Sequence, residues 1–183
     1  MKGLLVAKYF IGSLRQTGEG RLPSLGEIGL NQFAPYLINR LSASYNAHLQ
    51  EVLKDNGMTT AKMRALSILA ISPGLTVNEL AYQAVVEQST MSRTLDALEG
   101  QDFVRRQSRS DDMRVRELYI TELGRTAFAE SWPLLYGLYA DLFIGVEADE
   151  YDRFIDTLHK VLRNMHRRIE GETALDEPIE PQL

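Results

Sequence analysis

The chain contains no cysteine. That excludes disulfides, thiolate zinc sites and cysteine-based redox sensing. It also lacks any apolar run approaching the ~20 residues that a membrane-spanning helix needs. The apolar stretch at residues 3–11 is interrupted by Lys8, and no small-residue cleavage site follows it. No signal peptide is expected there, and a cytoplasmic protein is. Histidine is sparse and scattered, at positions 48, 159 and 166. His159 and His166 fall on one helical stripe without a third ligand, so no metal site is expected. There is no phosphate-cradling glycine loop, no nucleophile elbow and no carboxylate pair in an acid/base setting. An enzyme loses its usual supports, and no catalytic residue or cofactor is expected.

What is present begins with charge. At 183 residues the chain is one domain or two small ones, with enough length to bury a core. Its net charge of −5 looks wrong for a nucleic-acid partner. The imbalance sits in the tail, where Glu170, Glu172, Asp176, Glu177 and Glu180 meet no base, so the rest of the chain is balanced. Within residues 101–116, Arg105, Arg106, Arg109, Arg114 and Arg116 outnumber Asp102, Asp111 and Asp112. Charge near a contact surface decides phosphate affinity, not the global sum.

The most organised stretch is 75–121. Pro73-Gly74 breaks the chain, and Thr76-Val77-Asn78-Glu79 then forms a capping box for a short helix with Leu80, Ala81 and Ala84 inward. A turn at 85–88 leads to a second helix, where Met91, Leu95 and Leu98 recur at helical spacing and face the core. Ser89, Thr90, Arg93 and Thr94 are left outward. Short hydroxyls and one long Arg at a helix start suit close approach to phosphates and base edges. The bland alternative is a solvated helix face. Strand-like segments at 103–107 and 114–120 follow, joined by a polar tip at 108–113.

Around this stretch, helical spacing predicts helices at 31–56 and 59–71. Another runs from a Thr121 cap to about 146, with a kink or break near Trp132 from Pro133. The last helix, about 149–171, carries an apolar stripe of Tyr151, Phe154, Ile155, Leu158, Leu162 and Met165. That stripe is too apolar to lie in water, and a partner helix from a second chain is the expected cover.

The order and spacing of several strings resemble one family. Ser89-Thr90-Met91-Ser92-Arg93, followed by Leu95 and Leu98-Glu99, resembles the recognition helix of winged helix-turn-helix regulators. Asp112-Met113-Arg114, then Leu118-Tyr119-Ile120-Thr121-Glu122-Leu123-Gly124-Arg125, is similar to the wing and following helix start of the MarR family (multiple antibiotic resistance regulators). Gly57-Met58-Thr59 and 66–69 look like that family's second-helix start, and the likeness spans roughly 33–169. Two departures stand out. Asp102 occupies a turn where many members have Gly, a position Asp tolerates better than most residues. Lys62-Met63 replaces a Gln-Trp pair and so alters a wall of the family's effector pocket.

The resemblance implies a homodimeric DNA-binding transcriptional regulator, more often a repressor, responsive to small aromatic or anionic effectors. The expected fold is mainly α: a winged helix-turn-helix lobe with a two-stranded wing at 57–121, plus a helical dimerisation lobe from 31–56 and 122–171. Residues 1–30 form an arm of unassigned role, with a short helix possible at 4–14, and 172–183 an acidic disordered tail. Gln88 and Arg93 are the expected base readers, Thr90 and Ser92 the phosphate contacts, with Ser89 and the wing's Arg109 completing the face. The resemblance implies that Asp112 orients Arg114 into a minor groove, and a carboxylate beside a guanidinium would fix its direction. The plain alternative is a surface salt bridge worth ~0–1 kcal/mol. Tyr36, Arg40, Tyr45, Met63 and Trp132 are candidate effector contacts, each equally readable as core or interface packing. The competing function is a winged-helix protein-interaction module without DNA binding.

Overall fold

The computed structural model describes residues 24–54 and 57–170. The expected helix at 4–14, most of the arm and the acidic tail at 172–183 lie outside the described residues. The chain divides into two compact units, one ending at His48 and one beginning at Leu49.

In the first unit, α1 (Leu25–Ile28) is a single capped turn. Ser24 and Glu27 form a reciprocal capping box, and Gly29 closes the turn at φ 76°. A 3₁₀ turn (Leu30–Gln32) follows, and then α2 (Ala34–Lys54), whose last residues belong to the second unit.

The second unit holds the core. Helix α3 (Thr60–Ile71) is capped by Thr59, and α4 (Val77–Gln83) by the expected Thr76–Glu79 box. Helix α5 (Gln88–Gly100) buries Met91, Leu95 and Leu98 completely, as their spacing requires. They meet Leu66 and Leu69 of α3, Leu80 and Ala81 of α4, and Val104 and Leu118 of the hairpin in one cluster. Burying each such Leu is worth ~1.5–3 kcal/mol, so this cluster outweighs any surface charge in fixing the lobe.

The hairpin consists of β1 (Val104–Ser108) and β2 (Arg116–Ile120), antiparallel, with Val104 opposite Ile120 and Ser108 opposite Arg116. Asp102 stands at φ 57° before β1, so it does adopt the left-handed turn. Leu118 also exchanges backbone hydrogen bonds with Gly74 and Leu75, giving the hairpin a one-residue third neighbour. The tip runs longer than expected, from Arg109 to Val115, because Arg109 N–H bonds the Val115 carbonyl only at its neck.

Helix α6 (Glu122–Asp141) starts from the hairpin itself. The Thr121 hydroxyl accepts from Gly124 N–H and donates to the Asp102 carbonyl at 2.6 Å. A Cβ on Gly124 would stand 2.1 Å from the Phe103 carbonyl oxygen, so only glycine lets the helix abut that strand entry. Of the expected kink or break at Pro133, the break does not occur: the helix runs through it. Pro133 forgoes one hydrogen bond, but buried Ser131 and Leu135 on either side hold the helix to the core. The helix ends at Asp141 rather than near 146, and a turn through Gly145 (φ 80°) leads to α7 (Ala148–Glu170). Tyr151 and Phe154 of α7 pack against Phe143, and the Tyr139 hydroxyl donates to that of Tyr151 at 2.6 Å. Ile155 and Leu158 are half-buried, and beyond them the stripe lies open: Leu162 is 53% and Met165 52% exposed.

Candidate nucleic-acid interface

Helices α4 and α5 enclose a tight turn in which Val85 sits at φ 52°. A β-branched residue is unfavourable there, yet the turn delivers α5 with its first residues outward. Gln88, Ser89, Thr90 and Arg93 are exposed, while Ser92 is half-buried. Ser89 and Arg93, four residues apart, lie along one line of the helix. Thr94 turns its hydroxyl back to the Thr90 carbonyl, so it is not offered outward. Among the described residues, no side chain pairs with the Arg93 guanidinium.

The wing arginines divide into two groups. Arg106 is half-buried and clamped between Asp96 and Glu99 of α5. Burial alone would lower its pKa, but the Asp96 hydrogen bond and the two carboxylate charges more than offset it and raise it. Arg105 lies 4.7 Å over the Tyr119 ring and donates to Gln107. Arg109 donates through Nε to Glu117 Oε1 at 2.6 Å, with Asp111 at 4.0 Å, and the Glu117 bond raises its pKa. Arg106 and Arg109 are thus paired with carboxylates of the lobe itself, while exposed Arg105 touches only neutral groups. Arg114 and Arg116 are exposed, and among the described residues neither guanidinium has a partner. Counting arginines along the sequence overstates the charge the wing can offer. Arg116, not singled out from the sequence, joins Arg93 and Arg114 as an unpaired cation.

Asp112 meets Arg114 differently from the expected carboxylate–guanidinium contact. Its Oδ1 accepts from the Arg114 backbone N–H at 3.0 Å, which fixes the turn rather than the side chain. The recognition and wing candidates thus sit on α5 and the hairpin of one lobe.

The effector candidates divide between the two units. Tyr36 and Arg40 of the first unit contact each other, ring to guanidinium, at 5.7 Å, and Tyr45 is half-buried. In the second unit Met63 is a core residue at 3% exposure, while Trp132 is half-exposed between Phe128 and Tyr136. A cavity of about 290 Å³ lies elsewhere in that unit, lined by Gly57, Met58, Gln101, Phe103, Ala127, Glu130 and Ser131. Neither Met63 nor Trp132 lines it. Among the described residues no helix is long and apolar enough to cross a membrane.

A helix-turn-helix whose second helix exposes hydroxyls and Arg, followed by a basic hairpin, defines a winged helix-turn-helix protein. The MarR family model matches residues 58–115. The chain is 38% identical to a MarR family transcriptional regulator from Silicibacter pomeroyi, covering 85% of this chain and 100% of that one with a TM-score of 0.73. A second MarR family regulator from Silicibacter pomeroyi is 36% identical, with 78% and 94% covered and a TM-score of 0.70. A Mycobacterium tuberculosis MarR family protein in complex with salicylic acid is 26% identical, with 69% and 94% covered and a TM-score of 0.58. The chain belongs to the MarR family of transcriptional regulators.

Proposed function

We propose that this regulator is a cytoplasmic homodimer that binds an imperfect palindrome and represses from it. Its two α5 helices would enter successive major grooves about 10 bp apart. The observation that carries the reading is the set of guanidiniums unpaired among the described residues, Arg93 on α5 with Arg114 and Arg116 on the wing, in a lobe that pairs Arg106 and Arg109 with its own carboxylates. Arg93 reads guanine, Gln88 a neighbouring base, and Ser89, Thr90 and Ser92 hold phosphate. The open stripe on α7 supports the dimer, since a second copy would bury Leu162 and Met165. Trp132, flanked by Phe128 and Tyr136, offers a face for a planar aromatic effector, which is the chemistry of the salicylate-bound relative. An effector preferring a conformer with the wrong helix separation would lower operator affinity.

Fluorescence anisotropy with random-sequence duplex at low and moderate salt tests the DNA reading. Binding that weakens steeply with salt is expected. No binding at either salt would make the lobe a protein-interaction module instead. Sedimentation velocity tests the assembly: wild-type protein should run as a dimer, and Leu158→Asp should give a monomer or an unfolded chain without operator binding. A compact wild-type monomer of 20.7 kDa would defeat the dimer and the palindrome together.

A further inference from the structure

We propose that Glu117 is the positioning residue of the wing: it holds Arg109 and Tyr119 so that the tip presents Arg114 to DNA. Arg109 then serves the hairpin and not a phosphate. The inference rests on the DNA-binding reading above.

The register of the hairpin sets Arg105 opposite Tyr119 and Gln107 opposite Glu117, so these four share one face. Their side chains are linked end to end. Arg105 donates to Gln107 and covers the Tyr119 ring. The Tyr119 hydroxyl donates to Glu117 Oε2 at 2.7 Å, and Arg109 Nε donates to Oε1 at 2.6 Å. Both oxygens of Glu117 are therefore engaged, and its side chain is only 17% exposed. The two hydrogen bonds depress its pKa, Arg109 first and Tyr119 second, so it remains ionised.

Both ends of this chain of contacts are tied down. At one end, next to Tyr119, Leu118 exchanges backbone hydrogen bonds with Gly74 and Leu75. At the other end Arg109 closes the neck of the tip through its own N–H to Val115, whose N–H bonds the Asp112 carbonyl. Asp112 in turn holds the Arg114 N–H. Glu117 thus connects the anchored base of the hairpin to the loop that carries the unpaired Arg114.

Two physical accounts of Glu117 differ in sign. As a simple negative charge it repels DNA, and removing it would release Arg109, tighten binding and steepen the salt slope by about 0.9. As a positioning residue, its loss loosens the tip and weakens binding through Arg114.

The experiment uses the full chain and duplexes that wild-type protein selects from a random pool. Glu117→Gln, Tyr119→Phe and Arg109→Ala are each measured alone and combined with Arg114→Ala. Glu117→Gln should lower affinity about fivefold, and the loss should shrink below about twofold once Arg114 is gone, because coupled residues are non-additive. Tyr119→Phe should act in the same direction with a smaller effect. Arg109→Ala should weaken binding while leaving the salt slope within about half a unit of wild type. If Glu117→Gln melts before it can be assayed, Tyr119→Phe carries the same cycle. Unchanged or tighter binding by Glu117→Gln, or equal losses with and without Arg114, overturns the proposal while leaving the DNA reading standing. A wild-type chain that selects no duplex overturns both.

Discussion

The Asp112 carboxylate accepts from the backbone N–H of Arg114 at 3.0 Å, and it makes no hydrogen bond to the Arg114 guanidinium. The acid shapes the turn, and the base is left to find its partner outside the chain. The contact separates two substitutions that sequence alone would treat alike. Asn can accept the same N–H through its amide oxygen, whereas Ala cannot. Asp112→Ala is expected to weaken DNA binding, although it removes a negative charge, and Asp112→Asn to keep most of the affinity. Arg114→Ala should lower the salt slope by about 0.9. Anisotropy titrations across a salt series measure all three, and tighter binding by Asp112→Ala would make the acid a bystander.

On α5, Arg93 projects without a partner among the described residues, so its loss orphans none of their side chains. Arg93→Ala should cost about 1–3 kcal/mol on the selected operator and relax preference at one base position per half-site. Ser92→Ala should weaken all sequences more evenly. Equal losses on operator and random duplex for Arg93→Ala would reassign Arg93 to phosphate.

Gly124 is expected to be intolerant. A Cβ there would overlap the Phe103 carbonyl, which itself accepts from Thr121 N–H at 3.0 Å and cannot retreat without losing that bond. Gly124→Ala should destabilise the chain by about 3 kcal/mol, the upper end for overpacking. Urea unfolding checks it, and a loss below about 0.5 kcal/mol, the range of an ordinary surface change, would mean that α6 can shift outward.

The α4 cap should leave a mark on acid stability. The backbone N–H of Thr76, then its hydroxyl, hold the Glu79 carboxyl below the ordinary carboxylate range. A folded pKa below the unfolded one means full stabilisation above the ordinary value, lost as pH falls toward the depressed one. Glu79 is solvent-exposed, so the effect is modest. Stability differences between wild type and Glu79→Gln should therefore shrink between neutral pH and the acid limb. A difference that stays constant would show that the charge contributes nothing to the cap.

Caps and periodic core positions were legible from sequence because each is a local pattern. Thr76 with Glu79, and Met91 with Leu95 and Leu98, need only a few residues of context. Asp102 at φ 57° was legible for the same reason, as one of the few side chains at ease there. Val85 at φ 52° was not, since a β-branched residue argues against that conformation. The fates of Arg106 and Arg109 also escaped, because their partners come from another element or from across the hairpin, where spacing carries no signal. The one-residue pairing of Leu75 with Leu118 has no period to detect. A break at Pro133 did not follow, because the rule against proline in a helix describes a cost of one hydrogen bond and a clash, which a long helix can bear.

The seam between Gly124 and Phe103 leaves no clearance, and Thr121 pins the same joint from the other side. A hinge needs slack, and this joint has none. The base of the hairpin and α6 must therefore turn as a single lever. Twenty residues of α6 make an arm of about 30 Å, and a tilt of about 6° displaces its far end by about 3 Å. Read in reverse, a push of a few ångströms near Tyr139 and Phe143 arrives at the wing as a small rotation instead of being absorbed along the way.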